Sequence, residues 1–103
     1  MKHLVFTSLM LGACGAWAQD SKEIKDLLQA SGCLSCHAAD EKLVGPSFKS
    51  IAAKYAGQAD AADTLAQSVR NGSRGKWGRV PMPPHASLSA ADLKTLSTWI
   101  LAH

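Results

Sequence analysis

The stretch that most restricts how this chain can fold is Gly32 to His37, with the sequence GCLSCH. It places two cysteines two residues apart and a histidine directly after the second one. A chain of 103 residues is expected to form one domain. A domain of this size buries a limited core unless a disulfide, a metal or another group reinforces it. The chemistry of this motif therefore decides the class of protein.

The first 18 residues differ in pattern from the rest of the chain. A short basic start is followed by an apolar run, Leu4 to Ala13, and then by Ala16-Trp17-Ala18, which fits a small-x-small cleavage site. The apolar run is shorter than the roughly 20 residues that a membrane span needs. We predict a cleaved signal peptide over residues 1–18 and a mature domain over residues 19–103.

A lipid anchor at Cys14 is the alternative for this leader. Leu11-Gly12-Ala13-Cys14 resembles a lipobox, in which the cysteine is lipidated and becomes the new N-terminus. The sequence leaves this alternative open. If Cys14 departs with the leader, only Cys33 and Cys36 remain, in an oxidising compartment where an accessible dithiol tends to form a disulfide.

The charge of the chain is modest, with a formal net value of +3, which is too small to indicate a nucleic-acid partner. Its distribution is more informative, because a cluster of basic residues falls in a stretch without acidic residues: Arg70, Arg74, Lys76 and Arg79. This cluster either steers acidic partner proteins toward the molecule or is an ordinary solvated loop. Both interpretations stay open.

Apolar spacing predicts an all-α fold with four short helices, over residues 22–31, 47–55, 60–70 and 89–102. Capping residues stand where these helices would begin: Asp20 or Ser21, Ser47, Asp60 and Ser89. Gly32 is expected to end the first helix. Residues 71–87 are rich in glycine and proline, which break helices and strands. Such a long loop in a small domain usually carries function.

The GCLSCH motif matches the attachment site of a c-type haem. The thiols of Cys33 and Cys36 would each add to a haem vinyl group and form a thioether. The two intervening residues let the sulfurs reach neighbouring sides of the ring. His37 would then lie beneath the iron as its proximal ligand. We therefore predict one covalent haem c with its iron as the cofactor.

Two other uses of the cysteines fit less well. A thioredoxin-like dithiol stands at the start of a helix beside strands, whereas this pair follows a helix and no strand pattern is evident. A zinc site usually has four ligands, and only His85 and His103 are available besides the motif. A dithiol–disulfide oxidoreductase remains the less favoured alternative.

The long loop offers a second iron ligand in the sequence VPMPP, Val80 to Pro84. Met82 is the only methionine after the predicted leader. A thioether ligand favours ferrous iron and so raises the reduction potential. The neighbouring prolines restrict the backbone, which lowers the entropy lost in holding the sulfur. We predict Met82 as the distal ligand. Without it, five-coordinate iron could bind small gases or react with peroxide.

Four segments together resemble one family: GCLSCH, VGPSF at residues 44–48, NGSRGKWGRVPMPP at residues 71–84, and WIL at residues 99–101. Over essentially residues 20–102 the chain resembles the small bacterial class I c-type cytochromes of the cytochrome c-551, or cytochrome c8, type. The resemblance implies four short helices wrapped around one covalent haem. The first and last helices cross near the attachment site, and the Pro/Gly loop carries the methionine ligand.

The resemblance also implies roles for individual residues. The carbonyl of Pro46 would accept a hydrogen bond from His37, and the indole N–H of Trp77 would donate to a haem propionate. Two positions depart from the family pattern. His85 stands where many relatives have an amide, and Ser68 stands where some relatives have an arginine near a propionate. Arg70 and Arg74 are the candidates to replace that charge.

The function that these features predict is that of a monomeric, periplasmic, single-electron carrier. It would accept electrons from a respiratory membrane complex or cytochrome and donate them to a terminal reductase, oxidase or peroxidase. With both axial positions filled, no iron site is open to substrate, so we predict a carrier and not an enzyme. Contact with the membrane is expected only through partners, unless Cys14 is lipidated.

Overall fold

The computed structural model describes residues 16–103. The predicted signal peptide and the lipobox at Cys14 lie outside this range, apart from residues 16–18. The described chain contains four α-helices, α1 (Ala16–Ala30), α2 (Phe48–Tyr55), α3 (Ala61–Asn71) and α4 (Ala90–Leu101), and a short 3-10 turn at Cys33–Ser35. Over residues 16–103 there is no strand beyond two isolated β-bridges. The all-α prediction with four short helices is confirmed.

The first helix begins earlier than its capping residues indicated. α1 starts at Ala16 and continues through Asp20 and Ser21, so the predicted caps at these two positions are wrong. Residues 16–19 contain no glycine or proline, and extending an existing helix by one residue is much cheaper than starting one. The helix ends at Ala30, and Gly32 then takes a left-handed conformation with φ 73°, as the sequence predicted. This reversal carries the chain directly into the two cysteines.

Serine caps begin two of the other helices as predicted. Ser47 Oγ accepts a hydrogen bond of 3.0 Å from the amide of Ser50, and Ser89 Oγ accepts one of 3.0 Å from the amide of Asp92. Asp60 precedes α3 but makes no side-chain capping bond to any residue of the described chain. Its φ of −108° and ψ of 21° differ from the extended angles that direct a capping side chain toward the helix amides.

The core is a single cluster to which all four helices contribute. α4 contacts the other three helices and lies at the centre. Its residues Leu93 and Leu96 are each 2% exposed. Apolar residues of different helices are buried together, with Ile24 and Leu28 from α1 and Phe48 from α2 in the same cluster as Leu96. Of the helices in residues 16–103, none is both long and apolar enough to cross a membrane.

Candidate cofactor site

One cleft brings the cysteine motif and the methionine loop together. Cys33, Cys36 and His37 line it along with Met82. Its walls are largely apolar and include Leu28, Phe48, Ile51, Leu65, Leu96 and Ile100. All four helices, together with the loops that follow the cysteine motif and α3, contribute to a lining that extends from Leu28 to Ile100. The cleft therefore suits a ligand that is large and mostly apolar.

His37 is oriented by two contacts. Its Nδ1 lies 2.7 Å from the carbonyl oxygen of Pro46, which is the contact that the resemblance implied. Since a carbonyl only accepts, Nδ1 carries the proton, and Nε2 keeps the lone pair that a metal ligand needs. The imidazole also stacks on Phe48 with ring centroids 5.6 Å apart and an interplanar angle of 22°. The structure thus fixes both the tautomer and the ring plane.

Gly45 allows the loop to pass directly against this imidazole. A Cβ at this position would lie 2.7 Å from Cε1 of His37 and 3.2 Å from the carbonyl oxygen of Cys36. The Gly45 amide donates to that same carbonyl at 2.7 Å. The sequence alone did not indicate this packing role for Gly45. Its position immediately before Pro46 was the one available signal.

Met82 is held through its backbone by Ser73. The amide of Met82 donates to the carbonyl of Ser73 at 2.9 Å, and the amide of Ser73 donates to the carbonyl of Met82 at 3.2 Å. The two residues form one of the isolated antiparallel bridges. The prolines on either side of Met82 were recognised from the sequence, but Ser73 was missed. No sequence pattern indicates a single pairing of this kind across a loop.

The thiol of Cys33 lacks the lowered pKa that is typical of a redox-active dithiol. Both cysteines are half-buried and free in the described structure. Burial raises the pKa of the Cys33 thiol, the charge of Cys36 raises it further, and a backbone hydrogen bond partly opposes them. A reactive dithiol depends on a lowered thiol pKa, so this direction disfavours the oxidoreductase alternative. Residues 16–103 also contain no group of three or more His, Cys, Asp or Glu side chains placed to hold a metal such as zinc.

Trp77 lines the cleft and is 37% exposed. Lys54 Nζ lies 4.5 Å from the centroid of the Trp77 ring. Ser68 lines the cleft as well, and its Oγ accepts a hydrogen bond of 3.1 Å from Lys76 Nζ. Lys76 is therefore a basic residue in direct contact with Ser68. The sequence alone did not predict this pairing, because only the path of the loop through space brings the two residues together.

Three residues considered from the sequence lie away from the cleft lining. Arg70 and Arg74, the candidates to replace the missing arginine charge, are not among the residues that line it. Arg70 instead lines a separate shallow pocket beside α4. His85 is half-buried, and its backbone amide donates to the carbonyl of Val69 at 2.9 Å. The expectation that Arg70 or Arg74 supplies charge at this site finds no support.

The donor set matches the needs of a tethered haem. Two thiols, an imidazole with a free Nε2 and a thioether converge on one apolar cleft. A small all-α fold with four helices around a largely apolar cleft is typical of the small haem proteins of the c type. The sequence model of the family described as cytochrome c matches residues 21–103. The chain belongs to the cytochrome c family and, as a member, binds one covalent haem c with its iron, which confirms the predicted cofactor.

Individual members of this family are similar to the chain over most of its length. Cytochrome c-551 of Pseudomonas aeruginosa is 48% identical, with 99% of this chain and 98% of the relative covered. Cytochrome c-551 of Azotobacter vinelandii is 54% identical over 77% of this chain and 95% of the relative. The crystal structure of Nitrosomonas europaea cytochrome c552 covers 76% of this chain and 96% of its own at 49% identity, with a TM-score of 0.73. The predicted class I cytochrome fold is confirmed.

Proposed function

We propose that this protein is a periplasmic carrier of single electrons, with haem tethered to Cys33 and Cys36 and iron bound by His37 and Met82. The observation that carries the proposal is that His37 and Met82 line the same cleft as both thiols. Bound haem supplies the one-electron couple between ferric and ferrous iron. The carrier would connect a respiratory donor, a membrane complex or another cytochrome, with a terminal reductase, oxidase or peroxidase.

The roles of the protein in this function are to bind, to orient and to exclude water. Pro46 and Phe48 hold the imidazole of His37 in one orientation. Ser73 and the flanking prolines hold the backbone of Met82. Ligands fixed in this way need not move when an electron arrives or leaves, which favours fast transfer. Because His37 and Met82 would both bind the iron, no ligand position would be left for a substrate, so we propose a carrier and not an enzyme.

The proposal is tested on the exported, matured protein by mass spectrometry and ferric-state spectroscopy. We expect a mass increase equal to one haem and the long-wavelength charge-transfer band of ferric iron bound by sulfur. A haem mass without that band, together with tight binding of carbon monoxide, would favour the five-coordinate alternative. A loss of two hydrogens in place of the haem mass would favour the dithiol–disulfide oxidoreductase.

The same mass spectrum defines the start of the mature chain. We propose cleavage after Ala18, which leaves residues 19–103 as a monomeric domain in the periplasm. The pattern of residues 1–18 supports this proposal. A mature chain that begins at Cys14 and carries acyl groups would instead assign a lipid anchor.

We further propose that the redox partners present an acidic surface. Lys42, Lys76 and Arg79 line the cleft, and Val80 beside Arg79 is 65% exposed. We expect the bimolecular electron-transfer rate with an acidic partner to fall as ionic strength rises, because salt screens the attraction. Arg79→Gln should reduce the low-salt rate more than Lys94→Gln, which removes a charge from α4. A rate that is independent of salt would dismiss electrostatic steering.

A further inference from the structure

The lining of the cleft includes positively charged side chains besides its apolar walls. The charged side chains among the lining residues are Lys42, Lys76 and Arg79, with the titratable His37, and none of the described lining residues is acidic. Haem is a dicarboxylate, and a carboxylate at the rim of an apolar cleft needs hydrogen-bond donors or a cation to offset its desolvation. A cation in the lining therefore indicates where a carboxylate would lie.

Among these cations, Lys76 is exposed and bonds to a neighbouring side chain. Its Nζ donates to Ser68 Oγ at 3.1 Å, which ties the loop residue to α3. An ammonium has three N–H donors, so two remain after this bond. Anchoring by the serine also lowers the rotamer entropy that a long lysine side chain loses when it forms an ion pair. The hydroxyl of Ser68 thus positions a charge that serine itself does not carry.

The neighbouring indole is positioned by a second lysine. Lys54 Nζ lies 4.5 Å from the centroid of the Trp77 ring and 5.9 Å from that of Tyr55. A cation over the face of a tryptophan ring stabilises its placement. Trp77 follows Lys76 directly in sequence and lines the same cleft. The indole N–H of Trp77 and the ammonium of Lys76 are therefore two hydrogen-bond donors on consecutive residues of the cleft lining.

We propose that Lys76, anchored by Ser68, forms an ion pair with one carboxylate of the haem and supplies the positive charge that an arginine at position 68 would otherwise provide. This inference rests on the proposed function only for the placement of haem in the cleft. A cation beside a carboxylate favours its ionised form. The same cation disfavours the additional positive charge of ferric iron, so it raises the reduction potential.

The test uses the matured holoprotein and the reduction potential measured as a function of pH. In Lys76→Gln, we expect the pKa of the haem carboxyl to rise by about one unit and the potential, measured at a pH where this carboxyl is ionised in both proteins, to fall. Lys76→Arg should keep the wild-type profile. Ser68→Ala should give a smaller shift in the same direction, because the ammonium remains but loses its anchor. Lys94→Gln is the matched control, since Lys94 lies on α4 beside the separate shallow pocket.

Identical profiles for Lys76→Gln and Lys94→Gln would overturn the inference. So would a crystal structure of the holoprotein with Lys76 Nζ beyond hydrogen-bond distance of both carboxylates. The comparison requires only that haem is attached, so it does not depend on the distal ligand. If the wild-type protein lacks the ferric sulfur band, that result counts against ligation by Met82. The Lys76 variants would still test the ion pair with the haem carboxylate independently.

Discussion

Met82→Ala is expected to retain covalent haem and to lower the reduction potential by a few tenths of a volt, within the roughly 0.8 V that axial ligands span. The thioether stabilises ferrous iron more than ferric iron, and alanine removes that preference. Potentiometric titration measures the fall, and the ferric charge-transfer band of sulfur ligation should disappear. The mass of the matured protein should still include one haem, because both tethering cysteines are unchanged.

The backbone around Met82 makes this a test of the sulfur and not of the loop. The two hydrogen bonds between Met82 and Ser73 involve only main-chain atoms, so the substitution to alanine can keep both. Leu43→Ala is the control, because it shortens an apolar side chain that is 44% exposed and does not line the cleft. Leu43→Ala should leave the potential and the band unchanged. An unchanged potential in Met82→Ala would mean that another group, or none, occupies the distal position.

The features that the sequence predicted well are those determined within a few residues. Ser47 and Ser89 each cap the amide three positions later, and Gly32 reverses the chain where α1 ends. The cysteine motif is equally local, since His37 follows Cys36 directly. The start of α1 was placed wrongly because a good capping residue does not by itself prevent a helix from extending past it.

The features that the sequence could not predict depend on how two loops pass through space. The pairing of Ser73 with Met82 and the contact between Lys76 and Ser68 each join residues eight or more positions apart, outside any repeating pattern. The contact of Gly45 with His37 is of the same kind. Only the Pro46 contact was expected in advance, and that expectation came from resemblance to a family and not from local pattern.

Among substitutions that add a single methyl group, we expect Gly72→Ala to disturb the Met82 side of the site most. Gly72 has φ 76°, and a Cβ there would lie 2.5 Å from the carbonyl oxygen of Met82 and 3.1 Å from the nitrogen of Pro84. These neighbours are backbone atoms of a proline-rich segment and cannot rotate away as a side chain could. We expect the free energy of unfolding of the holoprotein to fall by about 2–4 kcal/mol, from left-handed strain and overpacking together.

Gly57→Ala separates the two causes. Gly57 follows α2 with φ 79°, does not line the cleft, and a Cβ there would meet no atom of the described chain within 4 Å. It should therefore lose only the strain, about 1–2 kcal/mol, and should keep the ferric sulfur band and the potential of the wild type. In Gly72→Ala the loop must move away from α3 and carry Met82 with it, so the band should weaken and the potential should fall toward that of Met82→Ala. Thermal unfolding and the ferric spectrum of both variants make the comparison. Equal bands in the two variants would show that the close approach of Gly72 to Met82 does not position the sulfur, and the distal ligand would then depend on the prolines and Ser73 alone.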